Sequence, residues 1–483
     1  MESVATAVTR LQALAAEPAL LSLAQSFQQA GHELALVGGP VRDAFLGRPV
    51  NDLDFATSAR PDDIVRILAP VADAHWDIGR AFGTIGARLG DLTVEITTYR
   101  SDSYDSESRK PEVAFGDTLE GDLGRRDFTI NAMALRLPEL TLVDPTGGFN
   151  DLLEHRLSTP GTAEDSFGDD PLRMLRAARF AAQLGVEVDE KVVVAMHGMR
   201  ERLTIVSAER VRDEISKLLL AASPRRGLEL LVTTGIAEIV LPELPALRLE
   251  VDEHAHHKDV YEHSLTVLDQ AIELEAVRAA VDPPLVQSPD LVLRLAALLH
   301  DIGKPATKRV EAGGVVTFHH HDVVGAKLAK RRLIALRFDN DTIKRTCRLI
   351  ELHLRFFGYS DAPWTDSGVR RYVRDAGDEL ERLHILTRAD VTTRNRRKAA
   401  RLHGAYDELE HRIAHLAEEE ELAAIRPDLD GERIMTVLGV PPGPIVGEAY
   451  RFLLEVRLDE GPLGDQEAEA RLRAWFESRS ASE

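Results

Sequence analysis

The residues best suited to chemistry are Asp52 and Asp54, one residue apart and soon after a Gly38-Gly39 pair. On a strand, side-chain alternation puts both carboxylates on one face. Like charges that close raise one another's pKa unless a positive group sits between them. A divalent cation fills that role, and Mg²⁺ with oxygen ligands suits in-line attack on a triphosphate. The Gly38 and Gly39 amides can cradle phosphate oxygens while Arg42 supplies charge. Each piece alone is equally a glycine turn or an exposed acidic pair; in one strand, turn and strand unit they point to a nucleotidyl-transfer site. Glu95, alternating with Val94 and Ile96, is either a third carboxylate of that site or an ordinary exposed strand residue.

Arginines supply the next group. Arg125 and Arg126 stand ahead of an apolar segment, where a double arginine is commonly just solvated; beside a carboxylate pair it is also a fair phosphate contact. Arg173, Arg176 and Arg179 recur every third residue, so on a helix they fan over about 120° of one face. Asp170, one turn earlier, can hold the Arg173 guanidinium in a fixed orientation. Such a pair presents an acceptor edge and a donor edge together, enough to read a base and reject wrong ones. The plainer reading is a surface arginine stripe.

A third group is rich in histidine: His263, the His300-Asp301 pair, His319, His320 and His321, then His353 and Asp390. Neutral imidazoles with carboxylates suit a hydrolytic divalent-metal site whose bound water is the nucleophile. A single histidine is more often packed or exposed. The His-Asp pair at the end of an apolar helix, with a histidine before and an aspartate after, is more specific.

These groups need elements to position them. Leu34 to Val37 reads as a short buried strand, residues 41–46 as a brief helix and residues 53–56 as a second strand. Residues 83–89 and 92–99 are strand candidates joined by a Gly90-Asp91 hairpin turn. Residues 1–30 have helical spacing and predict one N-terminal helix. Residues 101–124, polar and broken by glycine and proline, predict a mobile loop beside the site. From about residue 151 the pattern is helical: Asp169, Asp170 and Pro171 open one helix, and Ser207 caps another. Residues 394–421 read as one long helix, basic at its start and acidic at its end. That order opposes the helix dipole and suggests that the basic end serves binding. Residues 439–447 form a tight turn between helices.

The composition narrows the function classes. At 483 residues with 44% hydrophobic content, the chain can hold two to four domains. No run approaches a membrane span and the N-terminus lacks a signal-peptide layout, so the expected location is cytoplasmic, with no membrane partner. Cys347 is the single cysteine, which excludes an internal disulfide and a cysteine-based zinc site. A net charge of −21 argues against a generally sticky nucleic-acid binder. Local basic patches remain: residues 327–348 hold eight Lys or Arg against two Asp, and residues 388–401 hold six against one.

Taken together, the chain resembles the bacterial class II tRNA nucleotidyltransferases, which build the 3′ CCA end of tRNA, carrying an HD domain. The resemblance spans nearly the whole length. It rests on Gly38-Gly39-x-Val41-Arg42-Asp43, Asp52-x-Asp54, the run from Glu95 to Arg100, the run from Arg125 to Ala132, and Asp170-x-x-Arg173-x-x-Arg176-x-x-Arg179. It implies that Asp52 and Asp54 hold Mg²⁺, and that Gly39 and Arg42 with Arg125 or Arg126 contact the triphosphate. Asp170 with Arg173 would act as the protein template for CTP and ATP, and Arg176 and Arg179 would complete the pocket. Where the family usually has Glu-Asp-x-x-Arg, Asp169 precedes Asp170 here, which leaves the role of the first carboxylate open. The related poly(A) polymerases share the glycine and Asp-x-Asp elements; the basic Gly-Arg-Arg-Phe-like stretch expected of them is broken at Ala81. The histidine-rich unit resembles HD phosphohydrolases, implying His263, His300, Asp301 and Asp390 as ligands of a second divalent metal. His320 or His321, with His353, would be further ligands or phosphate contacts.

The expected fold class is α+β. A small mixed-sheet, polymerase-beta-like nucleotidyltransferase head (1–150) precedes an all-helical neck and body (151–253), an HD domain (254–395) and a helical tail (396–483). The expected reaction is untemplated addition of CCA to tRNA from CTP and ATP. The alternatives are poly(A) synthesis, A-only or CC-only addition, and an HD-type phosphohydrolase with an RNA-binding head.

Overall fold

Four apolar residues in succession, Leu34-Ala35-Leu36-Val37, leave a strand no polar face, and Leu34–Val37 (β1) is indeed buried at every position. The computed structural model describes residues 4–50, 53–100, 115–248, 259–312, 314–356, 359, 364–392, 395–420 and 425–480. The chain divides into two compact units, Met1–Pro242 and Glu243–Glu483.

In the first unit, β1 lies inside a mixed sheet with Leu53–Thr57 (β2), Ala74–Trp76 (β3), Thr84–Leu89 (β4), Leu92–Thr98 (β5), Ala134–Leu137 (β6) and Thr141–Val143 (β7). The order is β3-β4-β5-β2-β1-β6-β7. β2 and β5 pair in parallel, and the other neighbours are antiparallel. Gly90, at φ +61°, makes the two-residue turn that returns β4 into β5 with Leu89 opposite Leu92. β5 alternates as its sequence requires: Val94, Ile96 and Thr98 are buried while Thr93 and Glu95 are exposed. Removing Val94 and Ile96 from water contributes about 1.5–3 kcal/mol each, which fixes the register and so the polar face. On the far side of β1, Ala35, Val37, Ala132 and Ala134 share a core with Tyr99, Leu119 and Leu123.

Two expectations are corrected here. Residues 1–30 form two helices, Val4–Ala15 and Pro18–Gln29, because Pro18 has no N–H to continue a helix and suits a first turn instead. In the stretch expected as a loop, residues 101–114 lie outside the described residues, but Leu119–Gly124 is a helix. The Thr118 hydroxyl caps it by accepting from the Gly121 N–H at 3.2 Å, and Leu119 and Leu123 anchor it in the core.

Beyond residue 147 the first unit is helical apart from a short parallel pair of strands, Arg156–Leu157 with Glu187–Val188. Ser207 caps Ala208–Leu219 as expected. In the second unit Asp259 caps Val260–Ala279, and Leu291–Leu299, buried at nearly every position, ends at His300. Asn395 caps the long helix Arg396–Glu419 by accepting from the N–H groups of Arg397 and Lys398, and leaves Arg396, Arg397 and Lys398 exposed. The last three helices, Gly431–Leu438, Pro444–Glu460 and Asp465–Ser480, close over Leu429, Ile434, Ala449, Leu453, Ala468 and Leu472. No helix of the described residues is long and apolar enough to cross a membrane.

Candidate active site

Asp54 lies on β2 directly opposite Glu95 on β5. Paired residues on neighbouring strands point to the same face, roughly 5 Å apart. Asp54 is half-buried and Glu95 exposed, so two carboxylates share one open spot on the sheet. Asp52 lies outside the described residues.

β1 runs beside β2 and ends at Gly38, whose φ of +74° is a conformation that favours glycine. A Cβ there would come within 3.0 Å of Arg126 Nη1, and one at Gly39 within 3.8 Å of Arg42 Nη2. Two guanidinium groups therefore lie against the glycine pair, one strand from Asp54. Each is held by a carboxylate. Arg42 donates to both Asp43 oxygens at 2.9 Å and to Asn131 Oδ1 at 2.6 Å. Arg125 and Arg126 each donate from Nε and Nη2 to one oxygen of the buried Asp122, at 3.1–3.3 Å. Burial alone would raise the Asp122 pKa, but Arg126 and Arg125 together hold it below the usual carboxylate range.

A chain of bonds links this cradle to the arginine helix, Arg173–Leu184. Asn131 donates to Asp127 at 3.0 Å, and Asp127 accepts from Arg176 at 2.5 and 2.8 Å. Burial opposes the Asp127 charge, but Arg176 and Asn131 outweigh it and hold the pKa at about 2. Arg179 is buried against Glu214 at 2.6 Å, and the guanidiniums of Arg179, Arg42 and Arg176 surround the Phe180 ring at 4.1, 5.3 and 5.5 Å.

The expected hold of Asp170 on Arg173 is not what the structure contains. Asp170 pairs with Arg210 at 2.6 Å and accepts from the Leu172 N–H at 3.1 Å. Arg173 donates to Ser166 Oγ at 2.9 Å and to the Arg125 carbonyl at 2.8 Å. The spacing rule holds inside a helix, whereas Asp170 has extended backbone before the first turn. Asp122, Asp127, Asn131, Arg210 and Glu214 are the partners that spacing alone did not reveal. Asp127 and Asn131 stand four apart beside Arg126, the one local signal available.

The second unit gathers the histidines. His263, His300 and Asp390 form one trio of ligand-type atoms, and Asp301, His321 and His353 another, each within 4.8 Å. His263 Nε2 lies 2.9 Å from Asp390 and 3.4 Å from Asp301, and His300 Nε2 lies 3.2 Å from Asp301. The Nδ1 atoms of His300, His321 and His353 face the carbonyls of Ala297, Phe318 and Ile350 at 2.9, 2.8 and 2.6 Å. An Nδ1–H donated to a carbonyl leaves Nε2 with its lone pair facing inward, the tautomer a metal ligand needs. The buried Nε2 of His353 has no hydrogen-bond partner among the described residues. Burial disfavours the His300 cation, but Asp301 and Asp390 hold its pKa up to about 10 when no metal is bound, so a cation binding Nε2 would displace the proton there. His353 is pushed to about 4 by burial and by neighbouring His300. Two ionised carboxylates amid imidazoles suit a divalent cation. His319 and His320 are exposed; His321 alone of that run turns inward.

Five of the eight cations of the basic patch at 327–348, Lys327, Lys330, Lys344, Arg345 and Arg348, line a cavity of about 800 Å³. Its Arg345 and Arg348 pair with Glu379 and Glu351, whereas Lys327, Lys330 and Lys344 make no ion pair among the described residues.

Comparison with known proteins returns three domain matches: the poly A polymerase head domain over residues 34–158, a "Probable RNA and SrmB- binding site of polymerase A" over 185–247, and the HD domain over 260–395. An A-adding tRNA nucleotidyltransferase of Deinococcus radiodurans is 35% identical, covering 93% of this chain and 96% of its own. A CC-adding tRNA nucleotidyltransferase of Thermus thermophilus is 31% identical over 92% and 94%. A crystal structure of the Bacillus stearothermophilus CCA-adding enzyme in complex with CTP superposes with a TM-score of 0.65 at 25% identity, covering 96% of this chain and all of that one.

Proposed function

The chain belongs to the tRNA nucleotidyltransferase family, and we propose that it completes the 3′ end of tRNA by adding C, C and A from CTP and ATP, releasing pyrophosphate at each step. It is a nucleotidyltransferase. The observation that carries the reading is the register of Asp54 with Glu95, one strand from a glycine turn against which Arg42 and Arg126 lie.

In this reading Asp54, with Asp52, holds Mg²⁺, which when bound supplies the Lewis acid for attack of a 3′ hydroxyl on the α-phosphate. Gly38, Gly39, Arg42, Arg125 and Arg126 receive the triphosphate, exchanging contacts with Asp43 and Asp122 for contacts with phosphate oxygens. Glu95 stands ready to take the hydroxyl proton. Asp170, held by Arg210, and Arg173, held by Ser166, present the acceptor and the donor that choose the base. Arg176 and Arg179 brace that helix through Asp127 and Glu214. The helical segments after residue 150, with the exposed cations of Arg396, Arg397 and Lys398, hold tRNA by shape and phosphate contact. In this reading the chain works in the cytoplasm. In the HD centre the trios of His263, His300 and Asp390 and of Asp301, His321 and His353 would hold divalent cations, and the substrates fitting such a site are cyclic phosphates at RNA ends or 2′-nucleotides.

Two relatives matched over more than nine-tenths of this chain are named A-adding and CC-adding, which favours partial addition as the second reading. Acceptor tRNAs ending before the first C, after one C and after both, given CTP or ATP singly and resolved to one nucleotide, separate the two. Full addition extends all three; a CC-adding enzyme fails on the acceptor that ends in both Cs, and an A-adding enzyme extends that acceptor alone.

A further inference from the structure

The row that holds Asp54 and Glu95 continues across the sheet. Gly86 on β4 pairs with Glu95, and Trp76 on β3 pairs with Gly86. Paired residues share a face, so Asp54, Glu95, Gly86 and Trp76 form one line. A Cβ added at Gly86 would run into the Trp76 indole. The ring therefore lies over Gly86, leaning along the row toward Glu95. Strands are ~4.8 Å apart, so the half-buried indole over Gly86 lies one strand spacing from Glu95 and two from Asp54. The turn after Trp76 adds exposed apolar surface at Ile78 and Phe82, 90% and 51% exposed.

The glycine turn and its arginines lie on the other side of β2, at the end of β1. In-line displacement needs the attacking oxygen opposite the leaving pyrophosphate. With the triphosphate on the β1 side, the acceptor's 3′ hydroxyl enters from the β5 and β4 side, where Trp76 lies. We propose that Trp76 is a stacking platform for the terminal base of the acceptor RNA, a role that rests on the transfer reaction proposed above. Stacking on an aromatic ring holds an unpaired base without reading its identity. One platform thus serves an acceptor whose last base changes after each addition.

The test uses the full chain and two acceptors, both with a 3′ hydroxyl, one ending in a normal nucleotide and one in an abasic ribose. Trp76→Ala should raise KM for the normal acceptor about tenfold and leave KM for CTP unchanged. On the abasic acceptor, Trp76→Ala and wild type should coincide. Trp76→Leu, which still covers Gly86, should behave like Trp76→Ala, and Trp76→Phe should recover most of the affinity. Equal losses on both acceptors, or full activity in Trp76→Leu, would overturn the platform. Failure of the wild-type chain to extend either acceptor would instead remove the transfer reaction, and the platform with it.

Discussion

The head and the HD centre both gather acidic groups, yet they do so in opposite ways. In the head, Asp54 and Glu95 sit on the open face of a sheet, and the nearby cations are arginines held by carboxylates. In the HD unit, Asp301 and His300 are almost fully buried, and backbone carbonyls fix three imidazoles from behind. An open oxygen-only face suits Mg²⁺ and a substrate as large as an RNA end. A closed mixed nitrogen and oxygen set suits a transition metal and a small phosphate ester. The contrast teaches that acidic residue types alone do not specify the chemistry; the surface that carries them does.

The largest effect expected is in the head. Asp54→Ala should lower nucleotide incorporation by on the order of a thousandfold or more, measured as single-turnover extension, with an unchanged melting temperature. A residual rate near wild type would remove the head from the comparison. Next, Arg173→Ala should cut the preference for CTP and ATP over GTP and UTP about 10- to 100-fold, read as ratios of kcat/KM. Unchanged ratios would leave Arg173 a structural tie between Ser166 and Arg125.

Asp127 sharpens the comparison from the stability side. Its folded pKa of about 2 lies below its unfolded value, so its contribution is present above pH ~4 and is lost as pH falls toward 2. Asp127→Asn should cost about 2 kcal/mol at neutral pH, seen as a lower urea midpoint. The gap to wild type should narrow between pH 4 and 2; a constant gap would show that packing, not charge, holds the link. The smallest effect belongs to His353→Gln, which should weaken a cation at the Asp301, His321 and His353 trio while sparing the other. Calorimetric titration with Mn²⁺ should resolve the loss of one site; two intact sites would make His353 a core residue.

Much of this was legible in the sequence, for physical reasons that differ by residue. β1, β2 and the hairpin at Gly90 follow from apolar runs, alternation and a two-residue turn. Ser207 and Asp259 mark helix starts because capping is local. The His263, His300, Asp301 and Asp390 set converges as its residue types suggest. What stayed hidden is non-local or weakly patterned. Asp122 sits in a short helix with only two buried leucines amid glycine and charge, so no helical period emerges. Asp170 finds Arg210 forty positions later through the packing of two helices, and spacing could only suggest Arg173. Pro18 was a visible break inside residues 1–30 that the overall periodicity obscured.

The most direct measurement compares wild type with His300→Ala, reading nucleotide incorporation into tRNA and bound metal per chain in the same preparations. The two-centre account predicts that incorporation stays at the wild-type rate while at least one tightly bound transition-metal ion is lost. Incorporation that falls in step with the lost metal would contradict it, because the HD centre would then serve the transfer itself.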